Sequence, residues 1–259
     1  MRFGFFFWPY SPEYTTQMAR LGDEYGFDMV GIADTPGNAM DPWVAMTLAI
    51  AATTRVRLAT CVTNLVTRHP SITASAAASG PVALRAAGAV ADGAFVNYGL
   101  GRDHVIHART LIEAGAKEAG RPASDVDVWS IACLDVSEQR GAALEKLGNI
   151  LGFVAAYILG PDPKGRGVPP ELVAGVKELR RTYTTRQREM DPTLVTRLGL
   201  FDYLRARLAI AGTPEDCIGQ ARAAAAAGAT QLMFTVSLAA DPVRTVELFG
   251  REVLPALTR

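Results

Sequence analysis

Asp34 closes the apolar run Asp28–Ala33 and is followed at once by Thr35, so an acidic group stands at what reads as the carboxyl end of a strand. A carboxyl group held there can exchange a proton with a ligand, or it can cap the following loop with its Gly37 and Asn38; both roles are open. His69, preceded by Arg68 and followed by Pro70, is a second titratable candidate. Its imidazole suits acid–base work near neutral pH, and with no carboxylate placed beside it a helix-capping or packing role stands next to the catalytic one. Cys61-Val62-Thr63-Asn64 leaves a third apolar run with small and polar side chains, as an ordinary strand-to-helix loop also does. Ser79-Gly80-Pro81-Val82 reads as a helix start, whose free N–H groups and positive dipole end suit a phosphate, although such a tripeptide is also a common way simply to begin a helix. Trp8, Tyr10 and Trp43 fall at or just beyond strand ends, where aromatic rings either line a substrate pocket or join the core.

The elements that must position these groups alternate. Phe3 to Phe7 is a buried strand, and Ser11-Pro12 opens a helix whose Met18, Leu21 and Tyr25 recur at helical spacing up to Gly26. Asp28 to Ala33 is the next strand, Asp41-Pro42 starts a helix through Ala52, and Arg55 to Cys61 is a third strand. An Ala-rich helix is expected from Pro70, another from Pro81 to Ala91, then a strand at Ala94–Asn97 and a helix at Asp103–Ala119. Asp127 to Val136 is a long strand that leads into a helical section. A helix at Pro214–Ala227, a strand at Gln231–Val236 and a helix at Pro242–Leu257 finish the chain. Continuous apolar strands between helices predict an α/β fold with a parallel sheet. Six such strands are countable.

With 49% apolar residues and formal charges that cancel, a 259-residue chain of this kind is expected to be a globular enzyme-sized domain. No dense Lys/Arg block offers a footprint for nucleic acid or an anionic membrane. Three separated cysteines, Cys61, Cys133 and Cys217, have no metal-like spacing and read as reduced thiols, with a cytoplasmic location and no metal expected. The run Leu147–Gly160 is short for a membrane span and reads as a buried or subunit-facing helix.

The combination GFFF, DMVGIAD, DPWVAMTLAIAATTRVRLAT, VTNLVTRHP, SGPVALRAAG and AIAGTPEDCIGQARAAAAAGATQLMFT resembles the luciferase-like monooxygenase superfamily, and specifically its coenzyme F420-dependent branch. The resemblance implies a TIM-barrel-like (β/α) fold of the bacterial-luciferase type that binds F420, or alternatively FMN, at the carboxyl ends of its strands. It implies a single domain over residues 1–259 with a helical insertion at about 138–205. By this resemblance Cys61, Val62, Thr63 and Asn64 contact the cofactor ring, and Ser79, Gly80, Pro81 and Val82 hold its phosphate. Asp34 and His69 become the catalytic candidates, and Trp8, Tyr10, Thr35 and Trp43 the substrate pocket. Thr35 replaces the catalytic histidine of some sugar-phosphate-oxidising relatives, which argues against their chemistry. Arg180, Arg181, Arg186 and Arg188 either form a solvated face or meet an acidic cofactor tail.

The resemblance also implies a truncation. In the family a strand, a helical segment and a further strand precede SGP, whereas here the expected helix from Pro70 reaches it directly. A block on the order of 80 residues is thus expected to be missing between Ala78 and Ser79, leaving the SGP site parted from its strand. An open sheet needs a cover, so a homodimer is expected, with the helix Ile150–Leu159 as candidate contact. The expected activity is hydride transfer between F420 and a small organic substrate; the alternative is a non-catalytic truncated barrel that binds a flavin or another small ligand.

Overall fold

Apolar runs become strands and the segments between them become helices: β1 (Arg2–Phe7), α1 (Pro12–Tyr25), β2 (Met29–Ile32), α2 (Pro42–Ala52), β3 (Arg57–Thr60), β4 (Ala76–Ala78), α3 (Pro81–Val90), β5 (Gly93–Val96), α4 (Arg102–Glu118) and β6 (Asp127–Val136). Then come α5 (Arg140–Glu145), α6 (Leu147–Ile158), α7 (Val173–Thr182), α8 (Leu194–Arg197), α9 (Phe201–Leu208), β7 (Ala209–Gly212), α10 (Pro214–Ala226), β8 (Gln231–Thr235), α11 (Pro242–Leu248) and α12 (Leu254–Thr258). The computed structural model describes residues 1–35, 37–61, 76–78, 80–160, 163, 165–184 and 189–258.

Every ladder is parallel, and the strands run in the order β3-β2-β1-β8-β6-β5-β4, with β7 pairing the last part of β6. Among the described residues no ladder joins β3 to β4, so these two strands end the sheet. This is an α/β fold of the TIM-barrel-like kind with a partial parallel sheet as its core.

Alternation along β1 explains how the sheet acquires two apolar faces. Phe3, Phe5 and Phe7 are fully buried under the helices. Phe5 meets Phe27 edge-on at 4.9 Å, and Phe234 of β8 meets Phe249 at 4.8 Å. The other face carries Phe6, Cys61, Phe95, Trp129, Ile131 and Met233, which pack together inside the curve of the sheet. Crowding there dictates Gly31: a Cβ at this position would lie 2.7 Å from both Cys61 and Phe6.

Helix ends follow the sequence signals. The Ser11 hydroxyl accepts from the Tyr14 N–H, Asp41 accepts from the N–H groups of Trp43 and Val44, and Thr213 with Asp216 forms a capping box. The final helix does not run unbroken from Pro242. A π-helical turn at Phe249–Val253 interrupts it, where Gly250 passes so close to Tyr25 that a Cβ would sit 2.5 Å from that ring.

All six expected strands are present, and two more join them. β4 lies at the end of the stretch expected to be helical, because three alanines favour a helix locally while pairing of Ala76–Ala78 with Ala94–Val96 makes them a strand. Its presence overturns the expectation that a helix runs straight into SGP: a strand precedes this turn after all. β7 is likewise too short and alanine-rich to stand out.

The section between β6 and β7 is helical and builds a second core from Leu151, Leu179, Val195, Leu200 and Leu204, all fully buried. This corrects the reading of Ile150–Leu159 as a subunit contact. Ile150, Leu151, Val154, Ile158 and Leu159 are buried within the chain, because α6 lies between α7, α8 and α9 on one side and the strand ends on the other. Among the described residues no helix is long and apolar enough to cross a membrane.

Candidate active site

Parallel strands share a polarity, so their carboxyl ends converge on one side of the sheet. A cavity of about 500 Å³ opens there. Trp8 follows β1; Ala33, Asp34, Thr35 and Asn38 follow β2; Cys61 follows β3; Asn97 follows β5; and Thr235, Ser237 and Leu238 lie at the end of β8. The opposite wall is α6, through Ile150, Phe153, Val154, Tyr157 and Ile158. Three other clefts are comparable in size, about 620 Å³ beside α4, α9 and α10, about 500 Å³ along α1 and about 480 Å³ beside α6, α7 and α8, but none is lined by the carboxyl ends of the strands.

Local geometry holds these groups in place. The Ala33 N–H donates to the Phe7 carbonyl at 3.0 Å and the Cys61 N–H to the Ile32 carbonyl at 2.8 Å, so the ladder register carries on past the strands into the cavity wall. The Trp8 N–H donates to the Ser237 hydroxyl at 3.0 Å, and the Trp8 ring meets Phe153 edge-on at 5.6 Å. Asp34 is buried. Cys61 is fully enclosed and burial pushes its thiol pKa up, which makes it a wall rather than a nucleophile.

Asn97 owes its position to Arg207. This arginine is only 3% exposed and donates Nε and Nη2 to the Tyr98 carbonyl at 3.0 and 2.8 Å. Its own carbonyl accepts from the Leu100 N–H at 2.8 Å, so backbone and side chain grip the same loop.

Beside the cavity, α3 begins at Gly80 with extended backbone and no side-chain cap. A Cβ on Gly80 would lie 3.1 Å from Nη1 of Arg166, and the same Nη1 donates to the carbonyl of the cavity residue Ile158 at 3.2 Å. The first N–H groups of α3 thus have no side-chain cap, and a guanidinium lies close to them. That donor set matches the chemistry of a phosphate.

The cavity brings together Trp8, Asp34, Thr35 and Cys61. Two aromatic candidates lie outside its lining. Tyr10 turns to Trp8 and Tyr14, and Trp43 sits on the outward side of α2 because its position follows directly on the Asp41-Pro42 cap. Gly80, Pro81 and Val82 form the α3 start and do not line the cavity. Val62, Thr63, Asn64, His69 and Ser79 lie outside the described residues, as do Arg186 and Arg188. Of the other two arginines, Arg180 donates to the Ala156 carbonyl at 2.6 Å and Arg181 pairs with Glu178 at 2.7 Å. Sequence reasoning missed Asn97, Thr235 and Ser237, although each is a polar residue at a strand's carboxyl end, the same signal that singled out Asp34. It also missed Phe153, Tyr157, Arg166 and Arg207, whose roles come from contacts distant in sequence.

A parallel α/β sheet with a mostly apolar cavity at its carboxyl end is the arrangement of the TIM-barrel-like folds. The model of the luciferase-like monooxygenase family matches residues 1–79 and 75–231, and the chain belongs to that family. It is 29% identical over 182 residues to a 5,10-methylenetetrahydromethanopterin reductase of Methanopyrus kandleri, covering 69% of this chain and 48% of the relative. The corresponding Archaeoglobus fulgidus protein is 27% identical over 185 residues, 70% of this chain and 53% of the relative. The chain therefore spans about half the length of these curated relatives. Among solved structures, the coenzyme F420-dependent tetrahydromethanopterin reductase from Methanopyrus kandleri superposes with a TM-score of 0.79 at 20% identity over 98% of both chains. An F420-dependent secondary alcohol dehydrogenase, solved with an F420–acetone adduct, gives 0.70 at 15% identity over 100% of this chain and 99% of that one.

Proposed function

We propose that the protein is an oxidoreductase that exchanges a hydride between coenzyme F420 and a small organic substrate, with FMN as the alternative cofactor. The observation that carries this reading is the pairing of a strand-end cavity with the α3 start and Arg166: a space for a planar ring lies beside a donor set for a phosphate. When bound, the deazaflavin supplies the two-electron chemistry. The chain's part is to hold and to exclude water. Trp8, Phe153 and Val154 keep the cavity apolar, Asn97 and Thr235 offer hydrogen bonds, and the α3 N–H groups with Arg166 hold negative charge. Asp34 is the group we assign to give or take the proton that accompanies hydride transfer.

Titration of the protein with F420, followed by deazaflavin fluorescence, is expected to show saturable binding. If neither F420 nor FMN changes its spectrum, the redox reading falls. The single-domain organisation and a homodimer belong to the same proposal. In that dimer the second copy covers α2, which has no charged residue from Pro42 to Ala52 and presents Trp43, Val44 and Ile50 outward.

One observation favours a second reading, a truncated barrel that binds its ligand without turnover. Only residues 61–75 lie between β3 and β4, and the family model matches the chain in two segments that meet at 75–79. A unit of the barrel is absent on this reading, though less than the sequence implied, because β4 stands in front of α3. Saturable F420H2 binding with no oxidation by ketones or enones would favour it.

A further inference from the structure

We infer that the part of the cavity beneath α6 receives an uncharged, ring-bearing organic molecule and discriminates against a carboxylate or phosphate at that position. The inference rests on the redox reading only in calling this molecule the substrate; the recognition argument stands on the cavity itself. The wall above it is aromatic and continuous. Trp8 meets Phe153 at 5.6 Å with the rings at 74°, and Phe153 meets Tyr157 at 5.2 Å. Tyr183, outside the cavity, backs Phe153 edge-on at 6.1 Å and fixes its ring. Tilted and edge-on rings of this kind offer both ring faces and ring edges to a planar guest.

The charges of the lining point the same way. Among the described residues that line the cavity there is no lysine, arginine or histidine. An anion entering this wall would lose its hydration without a cationic partner, whereas a neutral ring loses little. The nearby guanidinium of Arg166 is turned to Gly80 and the Ile158 carbonyl, beside the cavity rather than in its lining. What polar capacity the lining offers at the strand ends is largely neutral: the Asn97 amide and the Thr235 hydroxyl suit a carbonyl or hydroxyl on the guest. Tyr157 is 59% exposed at the outer edge of the aromatic wall, so a substituent longer than the rings has a way out to solvent.

Calorimetric titration with 2-naphthol and with 2-naphthoate at neutral pH tests this, since the two share a ring system and differ in charge. 2-Naphthol is expected to bind at least tenfold more tightly than 2-naphthoate. Phe153→Leu, which keeps the apolar bulk and removes the ring, is expected to weaken 2-naphthol at least fivefold; Tyr157→Ala, at an exposed position, gives a second variant with little risk to folding and is expected to weaken it at least twofold. Equal or tighter binding of 2-naphthoate, no 2-naphthol binding up to its solubility, or indifference to both substitutions would each overturn the inference. F420 titrated into the same samples separates the two claims. Naphthol selectivity without F420 binding removes the redox reading and keeps the cavity's preference; F420 binding without selectivity does the reverse.

Discussion

Asp135 shows how much one buried side chain can add to the energetics of a site it does not line. It is 1% exposed, accepts from the Ala240 N–H at 2.8 Å and from the Thr245 hydroxyl at 3.4 Å, and so ties down the loop that carries Ser237 and Leu238. Burial is the main cause that raises its pKa to about 6; the hydrogen bonds from Ala240 and Thr245 work against it, nearby Asp241 adds to it and Lys146 opposes it. The raised value means the folded protein holds this proton more tightly than the unfolded chain does. Stability contributed by the protonated group is therefore present below the unfolded pKa, falls as pH rises towards about 6 and stays lost above it. Asp135→Asn, which keeps an acceptor for Ala240 and removes the charge, is expected to stabilise the protein by roughly 2 kcal/mol at pH 7.5 and by little at pH 4, measured as the difference in urea unfolding between variant and wild type at each pH. A gain larger at pH 4 than at pH 7.5 would contradict the assignment.

At the scale of elements, the β4–α3 turn is the one on which the proposed cofactor reading depends most. Gly80 has φ −133°, which any residue adopts, so what distinguishes this position is the Arg166 guanidinium beside it, 3.1 Å from where a Cβ would lie. Arg166→Gln would remove the positive charge beside Gly80 while keeping a side-chain donor for the Ile158 carbonyl. The expected result is about a tenfold loss of F420 affinity, the size of one charge-assisted hydrogen bond, with affinity for the phosphate-free deazaflavin chromophore unchanged. Equal losses for both ligands would remove the phosphate from this position. The Arg207 clamp belongs to the same scale: one buried guanidinium holds the loop after β5 and so sets where Asn97 enters the cavity.

For the whole molecule, the two ends of the sheet and the outer face of α2 set the boundary conditions. A helix apolar on all sides is ordinarily buried on all sides, yet within this chain Ala45 and Ala49 face inward while Ile50 is 62% exposed. Ile50→Asp puts a charge on the proposed self-contact, twice in a two-fold dimer. Sedimentation velocity at micromolar concentration is expected to show a dimer for the wild type and a monomer for this variant. A wild-type monomer would leave α2 to another partner.

Much of this was legible in the chain before any coordinates. The short apolar runs, the Ser11, Asp41 and Thr213 caps with their prolines, and the motif set fixed the α/β class, the family and six of the strands, because these signals are local: period, capping chemistry and turn residues act over a few positions. Asp34 was found because a polar residue ending an apolar strand is a pattern within one segment. The remaining features depend on partners far along the chain. Ala76–Ala78 becomes a strand only by pairing with β5, and α6 is a cavity wall rather than a subunit contact only because α7 to α9 fold over it. Arg166 meets Gly80, and Arg207 meets Tyr98, across long sequence separations. Sequence by itself determined which kind of sheet this chain makes and what sort of chemistry its strand ends can bear. Only the tertiary structure decided which of those groups share one cavity, since that depends on packing between segments whose local patterns carry no record of one another.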